Sequence, residues 1–125
     1  MGLAHSPRII TDGLVLCLDA GNTKSYPGSG TSWSDLSGQG NTGTLTNGPT
    51  YSSDNGGSIV FDGTNDYIDV SGTESLNAPL SIDFTLSIWM YPTKTGNWQG
   101  VLTKNRSTGT QVGLFLSSSN EFVFG

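Results

Sequence analysis

The chain has little charge, one cysteine and one histidine. Only 12% of its 125 residues are charged, and five scattered Lys and Arg residues stand against ten Asp and Glu residues. Without a basic patch to release counterions from phosphates, nucleic-acid binding is not expected. Cys17 is alone, which excludes an internal disulfide and a cysteine-based zinc site, and we expect it to be a buried small hydrophobe. His5 has no partnered nucleophile, so no catalytic triad is expected.

Long apolar runs are also missing. No stretch approaches the roughly 18 apolar residues of a membrane span, and the first eight residues lack the apolar region of a signal peptide. A protein working outside the cell would therefore leave by another route, such as lysis. The hydrophobic fraction is 34% and there are 18 glycines, which indicates one all-β domain of short strands, tight turns and a thin core. Such an uncharged polar surface is common outside cells and on virus particles.

Alternation of apolar residues with period two predicts the strands. Residues 58–70 are interpreted as a hairpin, with a tight turn at Gly63–Asp66 between two strands. Residues 80–91 alternate most strongly and predict a half-buried antiparallel strand that Pro92 ends. Residues 13–20 predict a strand buried on both faces. Further strands are predicted near 42–45, 101–104, 111–116 and 121–124, and one helical turn is predicted within 72–79 with Leu76 pointing inward.

Residues 1–12 are predicted to form an extended arm ahead of a domain at 13–125, because Pro7 restricts the backbone around it. Two alternatives remain open for the arm. It is either an edge strand of the domain or a docking arm for another subunit, using Pro7, Arg8, Ile9 and Ile10. Trp33 is expected to fill the edge of the core, with a ligand platform as the competing interpretation.

Four segments together resemble the LamG-like jelly-roll family of the concanavalin A-like lectin/glucanase superfamily. They are Leu14–Asp19, Trp33–Leu45, Ile59-Val-Phe-Asp-Gly-Thr-Asn-Asp-Tyr-Ile68, and Phe84-Thr-Leu-Ser-Ile-Trp-Met-Tyr-Pro92. The opening, 1–16, resembles virion and tail proteins of marine tailed bacteriophages, including cyanophages. The resemblance implies an antiparallel β-sandwich of two curved sheets. Family domains usually run longer, so the chain resembles their front part, and the remaining strands would come from a longer protein or from a neighbouring subunit.

Glycoside hydrolases of that superfamily need paired carboxylates on either side of the bond. Glu74 and Glu121 are the only glutamates and lie far apart, so we expect the chain not to be an enzyme and to need no cofactor. Calcium is the exception that the resemblance raises, because many relatives bind it in edge loops. Its oxygen ligands would be Asp62, Asn65, Asp66 and Asp69, or Asp19 with Asn22 and Asp35. The competing interpretation, which we favour, is that these side chains shape turns.

A glycan site would need an exposed aromatic ring with polar neighbours. Trp98, between Asn97 and Gln99, is the best candidate, followed by Tyr26 and Tyr51. Trp89 is a weaker candidate because it lies in the middle of a predicted strand.

The resemblance leads us to expect a structural virion protein, in the capsid decoration, neck, tail or fibres, that binds other virion proteins in repeated copies or as a homo-oligomer. The alternative is a carbohydrate-binding adhesin that recognises host cell-surface glycans through loops near Trp98 and Asp66. A third and more distant alternative is a secreted bacterial glycan-binding module.

Overall fold

The computed structural model describes residues 9–70, 74–77, 83–94, 96–105 and 111–125. In these residues eight strands pair antiparallel in three small sheets, and the helical elements are two 3-10 turns, Asp54–Gly56 and Glu74–Asn77. The predicted all-β class is therefore confirmed. The chain forms two compact units, Met1–Phe84 and Thr85–Gly125. Across the described ranges, no helix has the length and apolar character needed to cross a membrane.

The first unit contains two sheets. One has the order β1-β2-β5, with β1 at Ser32–Trp33, β2 at Gly43–Thr46 and β5 at Tyr67–Val70. The other pairs β3, Thr50–Ser52, with β4, Ser58–Val60. The aromatic core centres on the buried Tyr26, whose ring meets Trp33 edge-on at 6.2 Å and Tyr51 at 5.6 Å. Trp33 thus fills the edge of the core, as the sequence predicts.

The second unit contains one sheet of three strands in the order β6-β7-β8. These are Gln99–Asn105, Gln111–Leu116 and Phe122–Phe124. Register places Leu102 opposite Leu114, Leu114 opposite Phe124, and Leu116 opposite Phe122, so these five side chains share one apolar face. The sequence predicts all three strands, although β6 begins two residues earlier than expected and continues one residue further.

Residues 13–20, all of them described, form no strand, so that prediction is wrong. The segment is held instead by isolated hydrogen bonds. The Cys17 N–H donates to Asp35 Oδ1 at 2.9 Å, and the Leu36 N–H donates to the Cys17 carbonyl at 2.9 Å. Burial on both faces is also wrong, because Val15 is 44% exposed. The apolar run implies a neighbouring strand as the hydrogen-bond partner of this segment. In the structure the Asp35 carboxylate and the Leu36 backbone take that place.

Both strands of the hairpin predicted at 58–70 exist, but they do not pair with each other. β4 pairs with β3, placing Ile59 opposite Tyr51, whereas β5 pairs with β2, placing Ile68 opposite Leu45. The two halves therefore belong to different sheets. The physical reason is a competing turn at 53–57, where Asn55, Gly56 and Gly57 all have positive φ and return the chain from β3 directly into β4. β3 and the short β1 lie in a region where the sequence predicts only one strand.

The strand predicted at 80–91 is wrong over its described residues, 83–91, which lie in no sheet. Residues 80–82 fall outside the described ranges. The alternation nevertheless persists in the burial: Leu86, Ile88 and Met90 are 39–42% exposed, whereas Trp89 and Tyr91 are 98% and 90% exposed. The sequence pattern thus identifies the packing face correctly, while a strand additionally needs a hydrogen-bonded neighbour.

Two smaller predictions are confirmed. The strand near 42–45 is β2, and the helical turn predicted within 72–79 is the 3-10 turn Glu74–Asn77, with Leu76 half-buried.

Gly113 on β7 is crowded by the neighbouring strand, since a Cβ at this position would collide with the carbonyl oxygen of Leu102. We therefore expect Gly113→Ala to lower the free energy of unfolding by about 1–3 kcal/mol, the usual range for overpacking. Urea unfolding followed by tryptophan fluorescence measures the change. Gly125→Ala is the matched control: Gly125 exchanges backbone hydrogen bonds with Gly113 but has no atom within 4 Å of its own Cβ position. Equal stability of the two variants would contradict this account.

Candidate functional site

Among the described residues, an unusual surface is formed by the segment 85–91, Thr-Leu-Ser-Ile-Trp-Met-Tyr, which we call the apolar strip. It carries no charge, and its Trp89 and Tyr91 side chains are almost fully exposed. Residues 85–93 make no hydrogen bond within the part of the chain that the structure describes. An unpaired, uncharged segment of this kind is a typical site for pairing with another strand.

The inner face of the apolar strip lies against the sheet of the second unit. Leu86, Ser87, Ile88 and Met90 line an open groove of about 370 Å³ together with Leu114 of β7 and Phe122 of β8. The strip thus partly covers the apolar face of the sheet, while Phe122 and Phe124 stay more than half exposed. This part of the protein is a sheet with an incomplete second layer.

The predicted glycan site has one exposed ring. Trp98 is 63% exposed, and Asn97 beside it is exposed as well. Gln99 Nε2 donates to the Lys94 carbonyl at 2.5 Å and begins β6, so Trp98 stands at the anchored start of a strand. The Gly96 N–H donates to Asn120 Oδ1 at 3.2 Å and ties the same loop to the turn before β8.

Tyr26 does not fit the glycan site predicted for it. It is only 3% exposed, and its hydroxyl donates to the Gly30 carbonyl at 2.7 Å, so both its ring and its polar group are used within the core. Tyr51 is half-buried against the Tyr26 ring. The expectation of an exposed ring at Tyr26 is therefore wrong. Sequence alone does not distinguish this tyrosine from an exposed one, because it lies in a polar loop.

The acids of the predicted calcium site act on their own loop. The Asp62 N–H donates to Asp66 Oδ2 at 3.0 Å, and the Thr64 N–H donates to Asp62 Oδ1 at 2.7 Å. Asn65 contributes its backbone carbonyl, which accepts from Asn47 Nδ2 at 2.7 Å, and Asp69 lies on β5 opposite Thr44. Among the described residues, no three His, Cys, Asp or Glu side chains group closely enough to hold a metal ion. Calcium binding stays a prediction.

Two residues of the alternative calcium set, Asp19 and Asn22, also bond within their own loop. Asp19 Oδ1 accepts from the Gly21 N–H at 2.9 Å, and Asn22 Oδ1 accepts from the Lys24 N–H at 3.0 Å. Both are the turn roles that the sequence favours for these residue types. Asp35 differs from them, because its carboxylate joins distant parts of the chain.

Asp35 is the centre of a network that sequence reasoning missed. Oδ1 accepts from the N–H groups of Cys17 and Ser37, each at 2.9 Å. Oδ2 accepts from Ser37 Oγ at 2.6 Å and from the Asn41 N–H at 3.0 Å. Asn41 is fully buried, and its Nδ2 donates to the Val15 carbonyl and to Ser75 Oγ. The Asp35-Leu-Ser37 spacing of an Asx turn was the available signal.

Two pKa values follow from this network. Partial burial alone would raise the pKa of Asp35, but the hydrogen bonds from Ser37, Cys17 and Asn41 outweigh it, and the pKa lies below its ordinary value. The pKa of the Cys17 thiol is raised by burial and by the neighbouring charges of Asp19 and Asp35. Cys17 is half-buried and its thiol stays protonated at neutral pH, so it is suited to packing rather than to nucleophilic chemistry.

The predicted docking arm is described only in part. Pro7 and Arg8 lie outside the described residues, whereas Ile9 and Ile10 are exposed, Ile10 by 81%. Two adjacent exposed isoleucines are available for contact with another chain, and the docking role stays a prediction.

We expect Asp35→Asn to lower the free energy of unfolding by about 1–2 kcal/mol. The substitution weakens hydrogen bonds to a charged group, and the partial exposure of Asp35 reduces their contribution. The lowered pKa sets the sign of the pH dependence. Stability from Asp35 is complete above its ordinary pKa and is lost as the pH falls through the lower folded value. Thermal unfolding from pH 6 to pH 2 should therefore show a smaller acid loss in Asp35→Asn than in the parent.

The matched control is Asp54→Asn, because the Asp54 carboxylate makes no hydrogen bond within the described ranges. This variant should keep the stability of the parent and its acid profile. An Asp35→Asn protein with the parent's profile would contradict the role of the carboxylate.

No protein-family model, curated protein or solved structure matches the chain. The LamG-like resemblance therefore stays a prediction, and the described geometry alone locates the two candidate surfaces, the apolar strip and the loop at Trp98.

Proposed function

We propose that the chain is a structural protein of a tailed-phage particle, that it acts by protein–protein binding, and that its strands belong to a LamG-like β-sandwich. The sequence motifs at Phe61–Ile68 and Phe84–Pro92 support the family assignment. The antiparallel all-β architecture is compatible with it. The protein would work as a repeated component of the virion, without catalysing a reaction.

The apolar strip is the observation that carries this proposal. An exposed tryptophan and an exposed tyrosine two residues apart, on a backbone that makes no hydrogen bond within the described residues, form a surface that favours contact over solvation. Tyrosine and tryptophan are also the residues most enriched where protein interfaces derive their binding energy. Many copies on one particle would convert a weak contact at each strip into strong attachment.

Particles purified from a lysate of the host test the proposal. Peptide mass spectrometry should detect the chain in a fixed ratio to the major capsid protein. Replacing both exposed aromatics, Trp89→Ser with Tyr91→Ser, should lower incorporation at least about tenfold, since each is a large contact side chain. Deletion of residues 1–12 tests the arm in the same assay, and a loss of incorporation is expected if the arm docks.

Trp98→Ser is the control for that assay, because it removes an exposed aromatic ring outside the apolar strip. Incorporation should be unchanged in this variant. A chain absent from purified particles would contradict the virion assignment, whereas full incorporation of the Trp89 and Tyr91 variant would contradict the role of the strip.

A second candidate function is a carbohydrate-binding adhesin, favoured by the exposed Trp98 ring beside Asn97. Sugar rings stack on aromatic faces, and neighbouring amides supply the directional hydrogen bonds that select a sugar. The anchoring of this loop by Gln99 and Asn120 would reduce the entropy lost on binding.

A glycan array tests the adhesin directly. If the alternative is correct, the parent binds a defined set of glycans, and Trp98→Ala reduces that binding at least about tenfold through loss of the stacking face. Trp89→Ala is the control, because it removes an equally exposed tryptophan outside the loop. Absence of binding by the parent, or equal binding by Trp98→Ala, would contradict the adhesin.

A further inference from the structure

We propose that a second copy of this chain pairs with the apolar strip, so that two strips form an antiparallel β-ladder around a two-fold axis at Ile88. The inference goes beyond the proposed function, because such a dimer forms or fails to form whether or not the chain belongs to a particle. It commits to one occupant for the exposed segment, and it specifies the register.

The strip has the properties of a strand that lacks a neighbour. Residues 85–93 make no hydrogen bond in the described structure, yet the exposure of residues 88–91 alternates as in an extended backbone. The inner face, with Leu86, Ile88 and Met90, already lies on the apolar side of the sheet. Pairing along the edge of the strip would satisfy backbone groups without disturbing any hydrogen bond that exists.

The charges that flank the strip favour a second copy as the partner. Asp83 precedes the uncharged segment and Lys94 follows it. Antiparallel pairing of two identical strips brings the Asp83 end of each copy to the Lys94 end of the other, at both ends of the ladder. Parallel pairing would place like charges together instead. The segment is therefore complementary in charge to itself, but only in the antiparallel direction.

The side chains match in the same register. With Ile88 on the two-fold axis, Leu86 lies opposite Met90 of the partner copy, which continues the inner apolar face. By sequence alternation the outer residues Trp89 and Tyr91 lie opposite the small Ser87 and Thr85, and Ser87 also borders the groove between Leu86 and Ile88. A one-residue shift would place inner residues opposite outer ones and lose this match. The alternation in the sequence thus specifies one register.

The area is sufficient for a weak dimer. Trp89 and Tyr91 are 98% and 90% exposed, and aromatic side chains of this size supply about 150–250 Å² each. Four such side chains in two copies bring at most about 600–1,000 Å², because a two-stranded ladder leaves their outer side in solvent, and the inner-face residues already lie against their own sheet. A specific interface needs about 1,000 Å², so we expect dissociation in the micromolar range.

Sedimentation velocity on the full chain, from about 1 to about 500 μM, measures the monomer–dimer equilibrium across that range. The dimer fraction should rise with concentration. Trp89→Ser with Tyr91→Ser should raise the dissociation constant at least about tenfold, whereas Trp98→Ser should leave it unchanged. Circular dichroism checks that each variant is folded, which is expected because these exposed side chains make no hydrogen bond in the described ranges.

Cysteine crosslinking tests the register. In a Cys17→Ser background, Ile88→Cys places the two thiols across the axis within disulfide reach, so mild oxidation should give a covalent dimer. Trp89→Cys should crosslink far more slowly, because its counterpart in the partner copy lies two residues away along the ladder, beyond disulfide reach. Equal crosslinking of the two variants would overturn the register.

A chain that stays monomeric throughout the concentration series would overturn the dimer, and so would an unchanged dissociation constant in the Trp89 and Tyr91 variant. These outcomes are distinct from failure of the proposed function. A monomer in solution that still enters particles contradicts only the dimer, whereas a dimer that is absent from particles contradicts only the virion assignment.

Discussion

The first unit depends on a single carboxylate. Asp35 accepts hydrogen bonds from the backbone of Cys17, Ser37 and Asn41, and thereby holds an apolar segment against a polar loop. A thin core cannot supply this order through burial alone, since Tyr26 and Leu45 are its fully buried apolar residues among those described. Where little apolar area is buried, charge-assisted hydrogen bonds can fix the relative position of two segments, because these bonds are strong and directional. Buried Ser25 and Asn41 act in the same way. Ser25 Oγ accepts from the Asp19 N–H and donates to the Ser34 carbonyl, and Asn41 Nδ2 donates to the Val15 carbonyl and to Ser75 Oγ.

The second unit has the opposite balance of forces. The backbone of its sheet is well paired, because β6, β7 and β8 form antiparallel ladders with one register shift between Gly100 and Leu102, but the apolar face of that sheet is poorly covered. Phe122 and Phe124 stay more than half exposed, and among the described residues the apolar strip is what lies over this face. A sheet with one apolar face gains stability only when that face is covered. The same feature that limits the stability of this unit therefore makes it the part of the described chain best suited to binding another protein.

The sequence predicts which face of a strand is apolar better than it predicts which strands pair. Alternation at 58–60, 67–70, 111–116 and 122–124 identifies strands that exist, because period two is a local property of the backbone. Pairing depends on which turn closes, and the three positive-φ residues at 55–57 direct β4 to β3 rather than to β5. Tyr26 and Asp35 illustrate the same limit at the candidate sites. Their residue types permit a ligand role, but in the fold Tyr26 is used by ring contacts and a local hydrogen bond, and Asp35 accepts a hydrogen bond from the distant Cys17 backbone.

Comparison of β5 with the apolar strip shows that a neighbouring strand decides whether an alternating segment becomes a strand. Both have a strong alternating pattern, and both place an aromatic residue on the exposed face, Tyr67 in one and Trp89 in the other. β5 becomes a strand because β2 lies beside it and offers Leu45 opposite Ile68. The strip has the sequence of a strand without such a neighbour among the described residues. Since β propensity is mainly a preference for packed, paired surroundings, the strip retains a binding capacity that β5 has already used within the fold.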